Sequence, residues 1–294
     1  MRDASKNNAA WDRLKDMPST IGIGVAGNFT GHLEQAGEAS DFRNVSTDHA
    51  AAPKGIFPFY VPGGGQHFLN TMPVSATSLA LGSKTENHQI EPEVALLCRI
   101  QYAEKRVASL TPLYAMAHND CSIRRPGALK ISEKKNWGPE TKGTSNQMIS
   151  LDRFEKGGIL DDYRVACFLL RDGVLVEYGL DSSVTGYSYY GTRLVDWLIE
   201  KMNNQQDQGP LEHIAHWLDV ASQPDYALIS IGATRYTDFG ENTFLKSGDV
   251  ASVILYDAKQ HTQDAIRGFA DGSKDTNEPG LSVLRQNVHL GSQR

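Results

Sequence analysis

From Ile90 onward, short apolar runs separated by brief polar breaks dominate the chain. Val94–Ile100 is one such run with a single polar break, Val107–Met116 is a second, and Glu104-Lys105 between them is a candidate turn. Arg164–Leu170 and Val174–Tyr178 flank Arg171-Asp172-Gly173, and Asp-Gly between two β-rich runs signals a hairpin. Tyr226–Ala233 and Val250–Tyr256 have the same character, and Ile21–Ala26, apolar with interleaved glycines, reads as a strand or strand exit. Runs this short predict strands rather than helices. Between the late strands the spacing becomes helical: Leu194, Val195, Trp197, Leu198 and Met202 mark a helix over Thr192–Met202, and Ile214, Trp217 and Leu218 mark one over Leu211–Val220. Pro53–Pro73, with Pro62-Gly63-Gly64-Gly65 and several aromatics, predicts an irregular connection. The chain beyond Gly268 is rich in Asp, Gly, Ser, Asn and Pro and predicts loop until Leu281. Strands dominate with a few helices between them, which is an α+β class rather than a βαβ repeat.

Composition narrows the function classes. At 294 residues, 40% hydrophobic and 22% charged, the chain is long enough for one large domain or two modest ones. A net charge of −6 argues against a broad nucleic-acid surface, which needs a basic face. The run Glu133-Lys134-Lys135 is short and mixed in sign, and reads as a solvated loop. Cys98, Cys121 and Cys167 are too few and too widely spaced for a disulfide framework or a CxxC metal knuckle. Cys98 and Cys167 sit in apolar runs as small core residues. Met1–Lys15 is polar and lacks the apolar core of a signal peptide, and no apolar run approaches the ~18 residues of a membrane span. The expected setting is the cytoplasm. No Gly-x-Ser-x-Gly elbow occurs, and Cys121 lies beside Asp120, whose charge opposes thiolate formation.

The most informative chemistry lies in Ile90-Glu91-Pro92-Glu93-Val94-Ala95-Leu96-Leu97. Residues two apart on a strand share a face, so Glu91 and Glu93 present their carboxylates together at the head of an apolar run. Pro92 between them fits a strand start, an edge or a bulge. Two carboxylates ~4 Å apart repel by about 4 kcal/mol at an effective dielectric near 20, and solvent, a shared proton or a cation must relieve this. Hard ions such as Mg²⁺ or Mn²⁺ take oxygen ligands. Asp120, where an apolar run ends in Ala117-His118-Asn119-Asp120-Cys121-Ser122, offers a third carboxylate for such a site. Two plainer readings stand beside this one: Glu-x-Glu also occurs at solvated strand ends, and Asn119-Asp120 also suits an Asx turn.

Over roughly residues 20–257 these segments resemble the catalytic domain of the fumarylacetoacetate hydrolase superfamily. The resemblance is carried by the Glu91/Glu93 pair, by Asn119-Asp120, and by Gly138-Pro139-Glu140-Thr141-Lys142-Gly143 in place of a Gly-Pro-x-x-Lys-like stretch. It continues in Gly232-Ala233-Thr234 and in Phe244-Leu245-Lys246-Ser247-Gly248-Asp249-Val250. Asn28-Phe29-Thr30-Gly31-His32-Leu33-Glu34-Gln35 is similar to the family's lid segment, Asn-Tyr-x-x-His-x-x-Glu. Gln35 stands where the family has glutamate, with Glu34 and Glu38 as substitutes. The resemblance implies a mixed β-roll or sandwich with flanking helices, divided into an N-terminal segment with a His-bearing lid (1–75), a metal-binding catalytic β-roll (76–260) and a C-terminal tail (261–294). It implies Glu91, Glu93 and Asp120 as ligands of Mg²⁺, Mn²⁺ or Ca²⁺. His32 and Glu34 would activate water or move a proton, and Lys142 would stand beside the developing oxyanion. Thr234, Arg235 and Arg124 are candidates for contact with the substrate, Arg235 and Arg124 through planar guanidinium forks, and Arg125 is open to the same reading. The implied activity is hydrolysis of a C–C bond, decarboxylation or tautomerisation of a small β-dicarbonyl or 2-oxo acid through a metal-bound enolate. The alternative is a non-catalytic protein of the same fold that binds metal or ligand after losing the His/Glu dyad. A homodimer, with no nucleic-acid or membrane partner, is expected.

Overall fold

Fifteen strands and a few short helices make up the computed structural model, which describes residues 19–291 except Asn44, Ser46, Asp48, Ala50 and Pro126. The polar stretch Met1–Lys15 lies outside the described residues. The strands are β1 (Thr20–Ala26), β2 (Gly55–Tyr60), β3 (Val74–Ser75), β4 (Ser78–Leu81), β5 (His88–Gln89), β6 (Pro92–Ala103), β7 (Arg106–Asn119) and β8 (Ser122–Ile123). They continue with β9 (Lys142–Thr144), β10 (Ile149–Ser150), β11 (Tyr163–Arg171), β12 (Val174–Ser183), β13 (Tyr226–Ser230), β14 (Val250–Asp257) and β15 (Leu281–Leu290). Two larger sheets result. One has the order β2-β1-β13-β6-β7-β9-β3 with β10 on β7, and the other has the order β12-β11-β14-β15-β4. Both are mixed: β1 runs parallel to β13, β3 to β9 and β15 to β4, and the other pairs are antiparallel.

The longest apolar runs form the central hairpin. Val94, Leu96, Cys98 and Ile100 of β6 enter the main core with Val165, Cys167, Val253, Leu255 and Leu284 of the second sheet. Ala95 and Leu97 face the other way, into a smaller cluster with Phe59, Met116, Met148 and Leu228. Burial on both faces explains why the run is continuous rather than alternating. Glu104 and Lys105 close the hairpin with φ of 49° and 66°, and Asp172 and Gly173 close β11–β12 with φ of 51° and 78°. Two consecutive left-handed residues match the right-handed twist of the flanking strands.

The helices Thr192–Asn204 and Ile214–Val220 form as the spacing predicts, the second starting three residues later than Leu211. Two expectations are corrected. Pro53–Pro73 is not wholly irregular, because Gly55–Tyr60 pairs with β1 as an edge strand, where Pro58 costs no ladder bond on its open side. Gly268 lies inside a helix, Gln263–Asp271, whose Ile266, Phe269 and Ala270 pack under Phe168 and Ile254. Thr262 starts that helix by accepting the Ala265 amide, and Gly272, at φ 84°, ends it. Strand β15 then follows at Leu281, between β14 and β4.

One buried acid away from the hairpin makes stability depend on pH. Glu212 is 5% exposed beside the start of helix Ile214–Val220, and burial pushes its carboxyl from 4.5 up to about 7, against the opposing pull of the Ser132 hydroxyl and Lys130. The folded state therefore holds this proton more tightly than the unfolded chain. Its contribution is complete below pH 4.5 and is lost as pH rises through about 7. Glu212→Gln is expected to raise stability at pH 8, relative to its effect at pH 5, by up to about 3 kcal/mol. Denaturant unfolding at the two pH values measures this, and an equal effect at both would contradict it.

Candidate metal centre

The β6–β7 hairpin builds the acidic site. Its register pairs Pro92 with Asn119 and Glu93 with His118, which sets Glu91 and Asp120 side by side just beyond the paired ends. The Asp120 amide donates to the Glu91 carbonyl at 3.0 Å. Asn119 accepts the Glu91 amide at 3.2 Å and donates to Gln286 of β15 at 3.0 Å, fastening the corner to the second sheet. Each of Glu91, Glu93 and Asp120 contributes a carboxylate oxygen to a group whose members lie within 4.8 Å of one another. Their exposures are 4%, 2% and 1%, so solvent does little to relieve the repulsion. Glu93 also accepts the Gly232 amide at 2.8 Å. Gly232 has φ 116°, and a Cβ there would stand 2.9 Å from that of Asn28. Asn28 in turn donates to the Tyr189 and Ile231 carbonyls at 3.0 and 2.8 Å, so the loop that approaches Glu93 is tied down from both sides.

Basic side chains answer the acids. Lys135 Nζ lies 2.5 Å from Glu91 Oε2 and 2.5 Å from Asp120 Oδ2. Lys142 pairs with Asp120 Oδ1. Arg124 reaches Glu91 at 2.8 Å and Glu38 at 2.9 Å, and donates to Gln89 at 2.6 Å and to the Tyr236 hydroxyl at 2.9 Å. These contacts split the acids. Burial alone would raise Glu91, but Lys135 and then Arg124 bring it down to about 2. Glu93 has no ion-pair partner among the described residues, and burial followed by Asp120 holds its carboxyl well above the usual range against a weaker pull from Lys135. Carboxyls driven apart in this way are a common mark of functional sites. Lys135 corrects the sequence reading: it is 3% exposed and Lys134 is 4% exposed, so this run is not a solvated loop. Lys134 pairs with Glu38 at 2.8 Å and with Asp41 at 3.1 Å.

A cavity of about 20 Å³ gathers His32, Glu38, Glu91, Glu93, Asp120 and Lys135. His32 Nδ1 lies 2.9 Å from the Thr234 carbonyl, which can only accept, so in the neutral ring the proton sits on Nδ1 and Nε2 carries the lone pair. Burial, the largest influence, lowers the His32 pKa and keeps the ring neutral near pH 7. The hydrogen bonds of Gln35 go elsewhere than the imidazole. Gln35 accepts the Tyr236 amide at 2.9 Å and donates to Glu241 at 3.1 Å, which staples the short His32–Gln35 helix in place. Glu34 is exposed, and Glu38 is the carboxylate brought to the cavity. Of the other candidates, Lys142 is fully buried behind Asp120 and does not line the cavity. Thr234 supplies its carbonyl, Arg124 joins Glu38 to Glu91, and Arg235 is exposed. Arg125 pairs at the surface with Glu86 at 2.5 Å. Sequence reasoning missed Lys135 and the Thr234 carbonyl.

An all-carboxylate donor set suits a hard divalent ion. Glu91 Oε1 and Asp120 Oδ2, buried without a hydrogen bond though ion-paired, are oxygens that a cation would satisfy. The residues present therefore fit such an ion. Among the described residues, no helix is long and apolar enough to cross a membrane.

Known proteins bear on this geometry in three ways. The model of a family of unknown function, DUF5718, matches residues 38–288. No curated protein sequence matches the chain. Solved structures do. Cg1458, crystallised with an inhibitor, is 14% identical with a TM-score of 0.55, over 94% of this chain and 78% of that one. 2-Keto-3-deoxy-D-arabinonate dehydratase, complexed with magnesium and 2,5-dioxopentanoate, is 14% identical with a TM-score of 0.52, over 95% and 75%. 5-Carboxymethyl-2-hydroxymuconate delta-isomerase from Mycobacterium smegmatis is 14% identical with a TM-score of 0.51, over 94% and 81%. At this identity the likeness is one of fold, and the expected α+β fold of the fumarylacetoacetate hydrolase type is what the chain has.

Proposed function

This chain belongs to DUF5718, a family of unknown function, and from that premise we propose that it is a divalent-metal-dependent enzyme acting on a small 2-oxo acid or β-dicarbonyl compound. The observation that carries the reading is the meeting of Glu91, Glu93 and Asp120 in one buried cavity with the neutral imidazole of His32. Structural neighbours that are a dehydratase and an isomerase support it.

Glu91, Glu93 and Asp120 would hold the ion, which supplies Lewis acidity towards adjacent substrate oxygens and steadies enolate charge. His32 takes a proton from water or from the carbon next to a carbonyl, using the nitrogen left free by the Thr234 carbonyl. Thr234 holds the tautomer as a carboxylate would, without adding charge. Lys135 brings positive charge to the cavity wall, where it can meet the substrate's carboxylate. Glu38, held by Arg124 and Lys134, keeps the lid segment over the site. A base that takes a proton, from water in C–C hydrolysis and from the carbon beside a carbonyl in dehydration and tautomerisation, is common to these reactions, and the proposal extends to that class as a whole.

Turnover of oxaloacetate, an acylpyruvate and a 2-keto-3-deoxy sugar acid with Mg²⁺ or Mn²⁺, with and without chelator, tests it. The reading predicts turnover of at least one of these that chelator abolishes and metal restores. Inactivity towards all of them, indifferent to metal and chelator, would favour a protein of this fold that only binds its ligand.

A further inference from the structure

Four carboxyl groups that line the cavity, Glu38, Glu91, Glu93 and Asp120, belong to one charged cluster with Arg124, Lys134, Lys135 and Lys142. Three of the four cations pair with at most one member of the triad and do not line the cavity. Arg124 is fixed by Gln89, Glu38, Glu91 and the Tyr236 hydroxyl. Lys134 is occupied by Glu38 and Asp41. Lys142 pairs with the Asp120 oxygen that Lys135 does not take, and lies outside the cavity lining. Lys135 differs. Its ammonium bridges Glu91 Oε2 and Asp120 Oδ2 at 2.5 Å each, one oxygen from each of two triad members, and it lines the cavity. It also lies 5.4 Å from the centre of the Phe57 ring, a second resting place for a cation on a flexible stem.

We propose that Lys135 is a built-in competitor for the metal position: its ammonium occupies one oxygen each of Glu91 and Asp120, two of the three carboxylates that would hold a divalent ion, and the ion must displace it to bind. Two extra positive charges cannot join a cluster already facing this many cations without strong repulsion, unless one of the cations leaves. Lys142 also has a ring beside it, Phe59 at 5.3 Å, but the side chain placed to leave is the one that lines the cavity and bridges two of the triad's carboxylates, Lys135. Lys135 therefore weakens and tunes metal binding, and it is released towards the cavity once the metal is in place. This inference rests on the metal reading of the triad.

Mn²⁺ binding to the full-length protein, followed by calorimetry and by the shift in melting temperature, tests it in wild type, Lys135→Met, Lys135→Gln and Lys142→Met. Lys135→Met is expected to bind Mn²⁺ about tenfold tighter or more than wild type, to melt lower without metal, and to gain more in melting temperature when metal is added. Lys135→Gln, which keeps donor groups and guards against loss of folding, should shift affinity in the same direction. Lys142→Met should tighten binding less than either. Wild type binding Mn²⁺ while both Lys135 variants bind equally or more weakly would overturn the competition and leave the metal reading standing. Absence of Mn²⁺ binding in every variant would overturn the metal reading and this inference together.

Discussion

Asp120→Asn is expected to abolish divalent-metal binding and, in the metal-free protein, to cost about 3–5 kcal/mol of stability, the range for breaking a buried ion pair. Asp120 is the shared partner of Lys135 and Lys142, which are 3% and 0% exposed in their side chains. An amide preserves size and one acceptor oxygen but not charge. Two ammonium groups would then be left in the interior with Glu91 as the remaining carboxylate partner of Lys135 and none for Lys142 among the described ion pairs. The triad would also lose the member furthest along the chain, without which Glu91 and Glu93 are a pair at a strand head. Calorimetric titration with Mn²⁺ and denaturant unfolding of the metal-free protein measure the two effects separately. Unchanged affinity would remove Asp120 from the site, and unchanged stability would mean that its two lysines find other partners.

His32→Gln is expected to lower turnover by about 10²–10⁴-fold, the usual contribution of a general base, while leaving Mn²⁺ affinity within about threefold of wild type. The imidazole lines the cavity but is not a member of the carboxylate group, so loss of the base should be separable from loss of the metal. The pH profile adds a check. A base works in its neutral form, and burial holds the His32 pKa below 6.5. Activity should therefore be level around neutrality and fall as pH drops through a value lower than an ordinary histidine's, and this acid limb should be missing in the variant. A loss of metal affinity as large as the loss of turnover would instead make His32 part of the ion's support.

How far these residues could be read from the chain follows from what kind of signal each leaves. The β6–β7 hairpin was legible because its runs are long, apolar and broken by a turn. Given the hairpin, Glu91 and Glu93 fall on one face by parity, and Asp120 falls opposite by register. Lys135 was hidden by its neighbours: Glu133 and Lys134 make the segment look solvated, and its acidic partners lie 44 and 15 residues away. A signal was nonetheless present, since three buried carboxylates demand positive charge. The choice between Glu34 and Glu38 turns on Gly37, whose φ of 70° reverses the chain after a four-residue helix and returns Glu38 to the cavity. The Thr234 carbonyl that orients His32 is backbone and has no side-chain signature at all. The edge strand β2 was masked by proline and by the glycine-rich stretch that follows it, both of which an edge position tolerates.

The most direct measurement is the anomalous difference map of a crystal soaked in Mn²⁺. One strong peak is expected, with oxygens of Glu91, Glu93 and Asp120 at about 2.1–2.2 Å and the Lys135 ammonium moved off the bridge between Glu91 and Asp120. A map without a peak there, with Lys135 still seated between the two carboxylates at saturating Mn²⁺, would contradict it.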